Sequence, residues 1–387
     1  MEKIQNQKHS IETFYYSLAR MLERASYYGL RALVVLYMVG ETLKMENTEA
    51  LTIYGWFTAS LVFSQIIGAL FGDLLIGNKK SIIIGGIIQA IGAFILCIPS
   101  IYGLYIGIFF IVLGSGFYTP NIIANYGKSY LNKTKLLDAG FTIFYLAINI
   151  GAFLGSFLIG YSGEEFGYNI GFIISGLLIL ISLIPILKTK EKKLPIGEKA
   201  SIGKRVLSIS MAFIIVGLFW GVYEISNIRI LDLQIQLGEN STLGISKSMW
   251  QSLNSVFTLP ISLIAIIIWT YYYNSQFFKL LIGFLFGATA FGILLFIPEI
   301  PKDSHIAPII HSVLTKYSNP KYLAILVSLA FVPTKIFALI FGLFNERFYD
   351  NPTLGVKFGI ITMILISIGI IGYIIIDKKT TYNNGYK

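Results

Sequence analysis

Charged side chains recur inside segments that are otherwise apolar, and they are the first candidates for chemistry. Arg20, Glu23, Arg24, Tyr27 and Arg31 follow one another at three- and four-residue steps, a spacing that lines them along one face of a helix. In the second half of the chain Trp220 and Glu224 stand one helical turn apart, with Asn227 a further step along. Each ionised side chain near the centre of a bilayer costs about 2.5 to 3.5 kcal/mol on insertion scales, so such groups are expected to face a protein interior. A carboxylate opposing an arginine cluster across a central space could form a salt bridge whose formation or protonation favours one of two conformations. The competing reading is that Arg20, Glu23 and Arg24 lie near the membrane surface, snorkel into it and only anchor the helix. Asn149 and Asn254 read either as hydrogen-bonding groups for a ligand or as contacts between helices.

The elements that carry these residues are predicted to be transmembrane helices. Of 387 residues 55% are hydrophobic and 13% charged, too few charges to cover a water-soluble surface. Apolar runs of about twenty residues, enough to cross roughly 30 Å of hydrocarbon as helix, recur with short polar breaks. Helices are predicted at 14–39, 50–76, 80–98, 102–125, 138–161, 168–187, 205–227, 248–272, 277–297, 305–316, 321–345 and 354–376. The tenth, at roughly 18 Å, is short for a full crossing. The fold class is therefore an all-α polytopic membrane protein of two six-helix bundles: 1–187, a basic linker 188–204, and 205–387. Lys79, Lys80, Lys128, Lys133, Lys135 and the run from Lys188 to Arg205 fall in alternate loops, while Glu41, Glu46, Glu49, Glu164 and Glu165 occupy the others. This asymmetry predicts both termini in the cytoplasm of a cell whose plasma (inner) membrane holds the chain. The net charge of +10 is read as orientation, not as a nucleic-acid footprint.

Several classes are disfavoured. The polar start, Met1 to Glu12, has no cleavable signal pattern, so the first helix is expected to direct insertion. Cys97 is the single cysteine, and His9, His305 and His311 are far apart, which argues against a disulfide framework or a metal site. No phosphate-binding glycine loop, His-Glu-x-x-His pair or nucleophilic triad is recognisable, so an enzyme is not expected.

Local motifs carry a resemblance. Glu23-Arg24-Ala25-Ser26-Tyr27-Tyr28-Gly29-Leu30-Arg31, Asp138-Ala139-Gly140-Phe141 running on to Phe144-Tyr145-Leu146-Ala147-Ile148-Asn149-Ile150-Gly151, Phe219-Trp220-Gly221-Val222-Tyr223-Glu224 and Trp250-Gln251-Ser252-Leu253-Asn254 resemble signatures of the proton-dependent oligopeptide transporters of the major facilitator superfamily. Gly68, Asp73, Gly77, Lys79 and Lys80 are similar to the superfamily's loop motif, in which the Asp and the basic residues clasp neighbouring helices. The resemblance implies alternating-access symport of di- or tripeptides or related small zwitterions, with protons as the coupling ion and no other cofactor. It further implies membrane lipids as surroundings, no nucleic-acid partner and a monomer. Arg24 and Arg31 would hold a substrate carboxylate, Asn149 and Asn254 its backbone or amino end, and Tyr27, Tyr28 and Trp220 would line the cavity. Glu23, Arg24 and Glu224 would couple to the proton.

Three positions depart from the family's pattern. Arg20 stands at the first acidic position of its Glu-x-x-Glu-Arg motif, Thr119 replaces the lysine of the fourth helix, and the tenth helix retains Ala307-Pro308 without the usual glutamate, Asp303 being the nearest acid. Lys335, alone at membrane depth in the eleventh segment, is a candidate compensating cation that would pair with Glu224 or a substrate carboxylate. These departures keep two alternatives open: a related carrier with a shifted substrate such as an amino acid or an anion, and a degenerate, non-transporting membrane scaffold.

Overall fold

The computed structural model describes residues 2–3, 8–191, parts of 207–222, 247–273, 275–294 and 352–384. Helix α1 spans Ile11–Val39 and α2 Asn47–Leu70, which passes into a π turn at Phe71–Ile76. Then come α3 (Asn78–Ile95), α4 (Ile101–Ser129) and α5 (Leu137–Gly155), the last continuing through a second π turn at Ser156–Gly160 into the short α6 (Tyr161–Phe166). They are followed by α7 (Tyr168–Lys188), α8 (Lys247–Tyr271), α9 (Gln276–Leu294) and α10 (Pro352–Asn384). The predicted seventh helix is helical at 209–215 and 217–219, while the predicted tenth and eleventh segments lie outside the described residues.

Among the described residues five helical spans are long and apolar enough to cross a membrane. Helix α1 is too charged to count among them, since Glu12, Arg20, Glu23, Arg24 and Arg31 interrupt it. Yet this charged helix carries Glu23, Arg24, Tyr27, Tyr28 and Arg31 of the candidate site. Outward faces are apolar along the helices: Phe63, Leu75, Phe109, Phe286 and Leu365 are each at least 61% exposed. Such a surface matches hydrocarbon as solvent and would aggregate in water.

Small residues set the helix approach. A Cβ on Gly151 or Gly155 of α5 would overlap the carbonyl oxygens of Met21 or Ala25 on α1, so the two backbones touch with the helices running in the same direction. One hydrophobic cluster joins Tyr16, Tyr118, Tyr126 and Phe144 to Leu280, Phe284, Val356 and Met363, linking both halves of the sequence. A second, within the first half, gathers Tyr27, Leu30, Leu33, Phe57, Leu61 and Phe172.

Candidate functional site

The face of α1 predicted to carry the charges does carry them, and it turns inward. Arg20 is 4% exposed and Glu23 fully buried, which corrects the snorkelling alternative: both side chains lie in packed interior. Glu23 receives three charge-assisted hydrogen bonds. Arg24 Nε donates to Oε2 at 2.8 Å and Nη2 to Oε1 at 2.5 Å, while Arg20 Nη1 donates to Oε2 at 2.9 Å. The forked Arg24 contact fixes both carboxylate oxygens, and the ionised acid answers the cost of burying two guanidiniums.

Arg20 Nη1 also donates to Thr119 Oγ1 on α4 at 3.1 Å. Two positions that depart separately from the family pattern therefore touch: the cation missing at Thr119 is matched by a guanidinium arriving from α1. Arg20 also lies 6.0 Å from the Phe144 ring centroid of α5.

One turn along α1, the Arg24 guanidinium carbon lies 4.4 Å from the centre of the Tyr27 ring and 5.9 Å from that of Tyr28. Tyr27 and Tyr28 meet edge to face at 5.3 Å, and Tyr27 reaches Phe57 of α2 at 6.4 Å. Arg31 Nε donates to the hydroxyl of Tyr54 on α2. Arg24 and Arg31 are thus two separate cations on one helix face, the first tied to Glu23 and the second to a phenol. Tyr54 escaped the sequence reading because a lone tyrosine on an apolar helix carries no spacing signal. Among the described residues, Asn149 of α5 has its Nδ2 buried without an acceptor. Trp220, Glu224 and Lys335 lie outside the described residues, as does the side chain of Asn254, whose backbone belongs to α8.

The loop motif also forms its clasp. Lys128 of α4 lies 3.7 Å from Asp73 and donates to Asn78 Oδ1 at 2.5 Å, while Asn78 Nδ2 donates to Asn121 Oδ1 at 2.7 Å. Lys79 Nζ donates to the carbonyls of Leu187 and Thr189 at the end of α7, at 3.0 and 2.6 Å. At this basic-loop end His9 Nδ1 meets the Tyr130 hydroxyl at 2.8 Å, and Thr270 of α8 lies 3.5 Å from His9 Nε2. Burial, with Lys133 nearby, holds the His9 imidazole below its ordinary pKa.

A family model described as Major Facilitator Superfamily matches residues 16–381. The chain belongs to that superfamily. Its members are transporters, not enzymes, and the chain is an integral, multi-pass membrane protein. Among sequence relatives, Uncharacterized transporter YclF of Bacillus subtilis (strain 168) is 31% identical over 56% of this chain and 46% of that protein. A Di-/tripeptide transporter of Lactococcus lactis subsp. lactis (strain IL1403) is 32% identical over 42% of this chain and 34% of its own length. The chain spans about half or less of the curated relatives it matches. In fold it is similar to a crystal structure of a peptide transporter, POT, in complex with sulfate, with a TM-score of 0.62 and 19% identity across 97% of both chains. The solved peptide transporter shares the fold, and a sequence relative is named a di-/tripeptide transporter, in line with the resemblance read from the motifs.

Proposed function

We propose that this chain is a secondary active transporter that carries di- or tripeptides, or closely related small zwitterions, by proton-coupled alternating access. The observation that carries the reading is the buried Arg20–Glu23–Arg24 cluster on α1, the most charged helix among the described residues of a major facilitator fold. The names of its relatives, one a di-/tripeptide transporter, support the substrate class.

A substrate carboxylate would be drawn to the cationic face of α1, where two guanidiniums share one carboxylate and Arg31 adds a third positive charge. Asn149, whose buried amide donor meets no acceptor among the described residues, would bond the peptide backbone together with Asn254, while Tyr27, Tyr28 and Trp220 would line the cavity. Glu23, Arg24 and Glu224 are the proposed coupling groups, the proton weakening a carboxylate–guanidinium contact and so shifting the balance of conformations. Lys335 is the proposed compensating cation. The bundles 1–187 and 205–387, joined by 188–204, would rock about the site with both termini in the cytoplasm and the protein acting as a monomer in the inner membrane. Protons are the only coupling species invoked.

A second reading has its own support. Arg20 contributes a buried cation and leaves the described part of the cluster with one more positive than negative charge, which favours substrates richer in carboxylate, including amino acids or simple anions. Uptake into proteoliposomes under an imposed proton gradient separates the two. Accumulation of dialanine and trialanine that is lost in Glu224→Gln supports the peptide symporter. Accumulation of amino acids or anions alone supports the second reading, and no uptake of any solute rejects both.

A further inference from the structure

Gln89 of α3 is fully buried, and neither polar atom of its carboxamide has a hydrogen-bond partner among the described residues. It lies beside Glu23, close to the acid but outside hydrogen-bonding geometry. Gly114 of α4 makes room for this approach. A Cβ there would fall 2.7 Å from that of Gln89, so α3 and α4 touch where the glutamine leaves its helix. A carboxamide left unmet at this depth is costly, and an apolar side chain of similar size would avoid the cost.

The hydrogen bonds that Glu23 receives are unevenly shared between its oxygens. Oε2 accepts from both Arg20 and Arg24, whereas Oε1 accepts from Arg24 Nη2 alone among the described residues. An ionised carboxylate offers about four acceptor sites, so Oε1 has room for another donor. Arg24 is also the guanidinium proposed to take a substrate carboxylate. Were it to turn to that carboxylate, Oε1 would lose its donor and Oε2 would keep only Arg20. A glutamine suits the acid left behind in either state: its amide NH2 donates to a carboxylate, and its carbonyl accepts from a protonated acid.

We propose that Gln89 is a positioning residue for Glu23, taking hold of the acid when Arg24 leaves it for substrate. Hydrogen bonds given up by Arg24 are then partly regained at Gln89, which lowers the cost of freeing the guanidinium. The inference rests on the transport reading, but its first test needs no substrate. Arg24→Lys keeps the positive charge and cannot fork, so it leaves a Glu23 oxygen in need of a donor. Thermal unfolding in detergent is followed for the parent, Gln89→Leu, Arg24→Lys and the double variant. Because Gln89→Leu removes no hydrogen bond from the parent, it is expected to leave the parent Tm unchanged or slightly raised, and to lower that of Arg24→Lys by about 4 °C.

A loss in the Arg24→Lys background no larger than that in the parent overturns the assignment, since a side chain that only packs would count equally in both. If Arg24→Lys fails to insert, Arg24→Gln takes its place in the same comparison. Dialanine binding by calorimetry is the second readout, with Gln89→Leu expected to weaken it about tenfold while the ligand-free Tm holds. Unweakened binding overturns the assignment and leaves the carrier standing. A parent that binds no peptide, beside a Gln89→Leu loss confined to the Arg24 variants, supports Gln89 as the alternative partner of Glu23 and rejects the transport reading.

Discussion

Arg24 holds both oxygens of the Glu23 carboxylate, its Nε and Nη2 at 2.8 and 2.5 Å, with Arg20 adding a third donor to the same acid. The acid is the shared member of this buried triad, so the two kinds of charge should respond differently to removal. Glu23→Gln leaves two guanidiniums buried with no anion and is expected to cost about 3 to 5 kcal/mol, whereas Arg20→Met leaves a neutral pair and should change stability by much less. Thermal unfolding in detergent measures both, and an equal loss from the two would contradict this division of roles.

Close contact between α1 and α5 predicts a steric effect that is independent of charge. Gly155→Val must push α5 away from the Ala25 carbonyl and is expected to abolish the monodisperse peak in size-exclusion chromatography. Gly55 of α2 has open space where a side chain would sit, so Gly55→Ala should be tolerated and could add up to about 1 kcal/mol of helix stability.

His9 makes the basic-loop contacts sensitive to acid. Its pKa in the folded protein is lowered from 6.5, chiefly by burial and then by Lys133. The fold therefore prefers the neutral ring, and its contribution is fully present above about 6.5 and is lost as pH falls below that value. His9→Gln is expected to flatten the pH dependence of proteolysis at the first residues between pH 7.5 and 5.5, with the native protein becoming more susceptible at the acid end. Identical profiles for the two proteins would sink this assignment.

The helices were legible because hydrocarbon requires long apolar runs, and the face of α1 was legible because Arg20, Glu23, Arg24 and Arg31 repeat at helical spacing. Partners across helices were not. Nothing in the sequence joins Arg31 to Tyr54, or Asp138 to a lysine 141 residues away, because such pairs depend on how helices dock. Arg20 and Thr119 each stood out alone, but only their 3.1 Å contact makes them one change. The π turns at Phe71–Ile76 and Ser156–Gly160 fall within stretches the sequence predicts as unbroken helix, since one extra residue in a turn leaves the apolar run intact.

Lumenal pH in proteoliposomes, followed with a trapped fluorescent dye while dialanine is added outside at symmetric pH, tests the carrier claim most directly. The account predicts that peptide addition acidifies the lumen through the native protein and fails to do so through Glu23→Gln, compared at equal amounts of inserted protein. Peptide entry without proton movement, or the same acidification by both proteins, would contradict it.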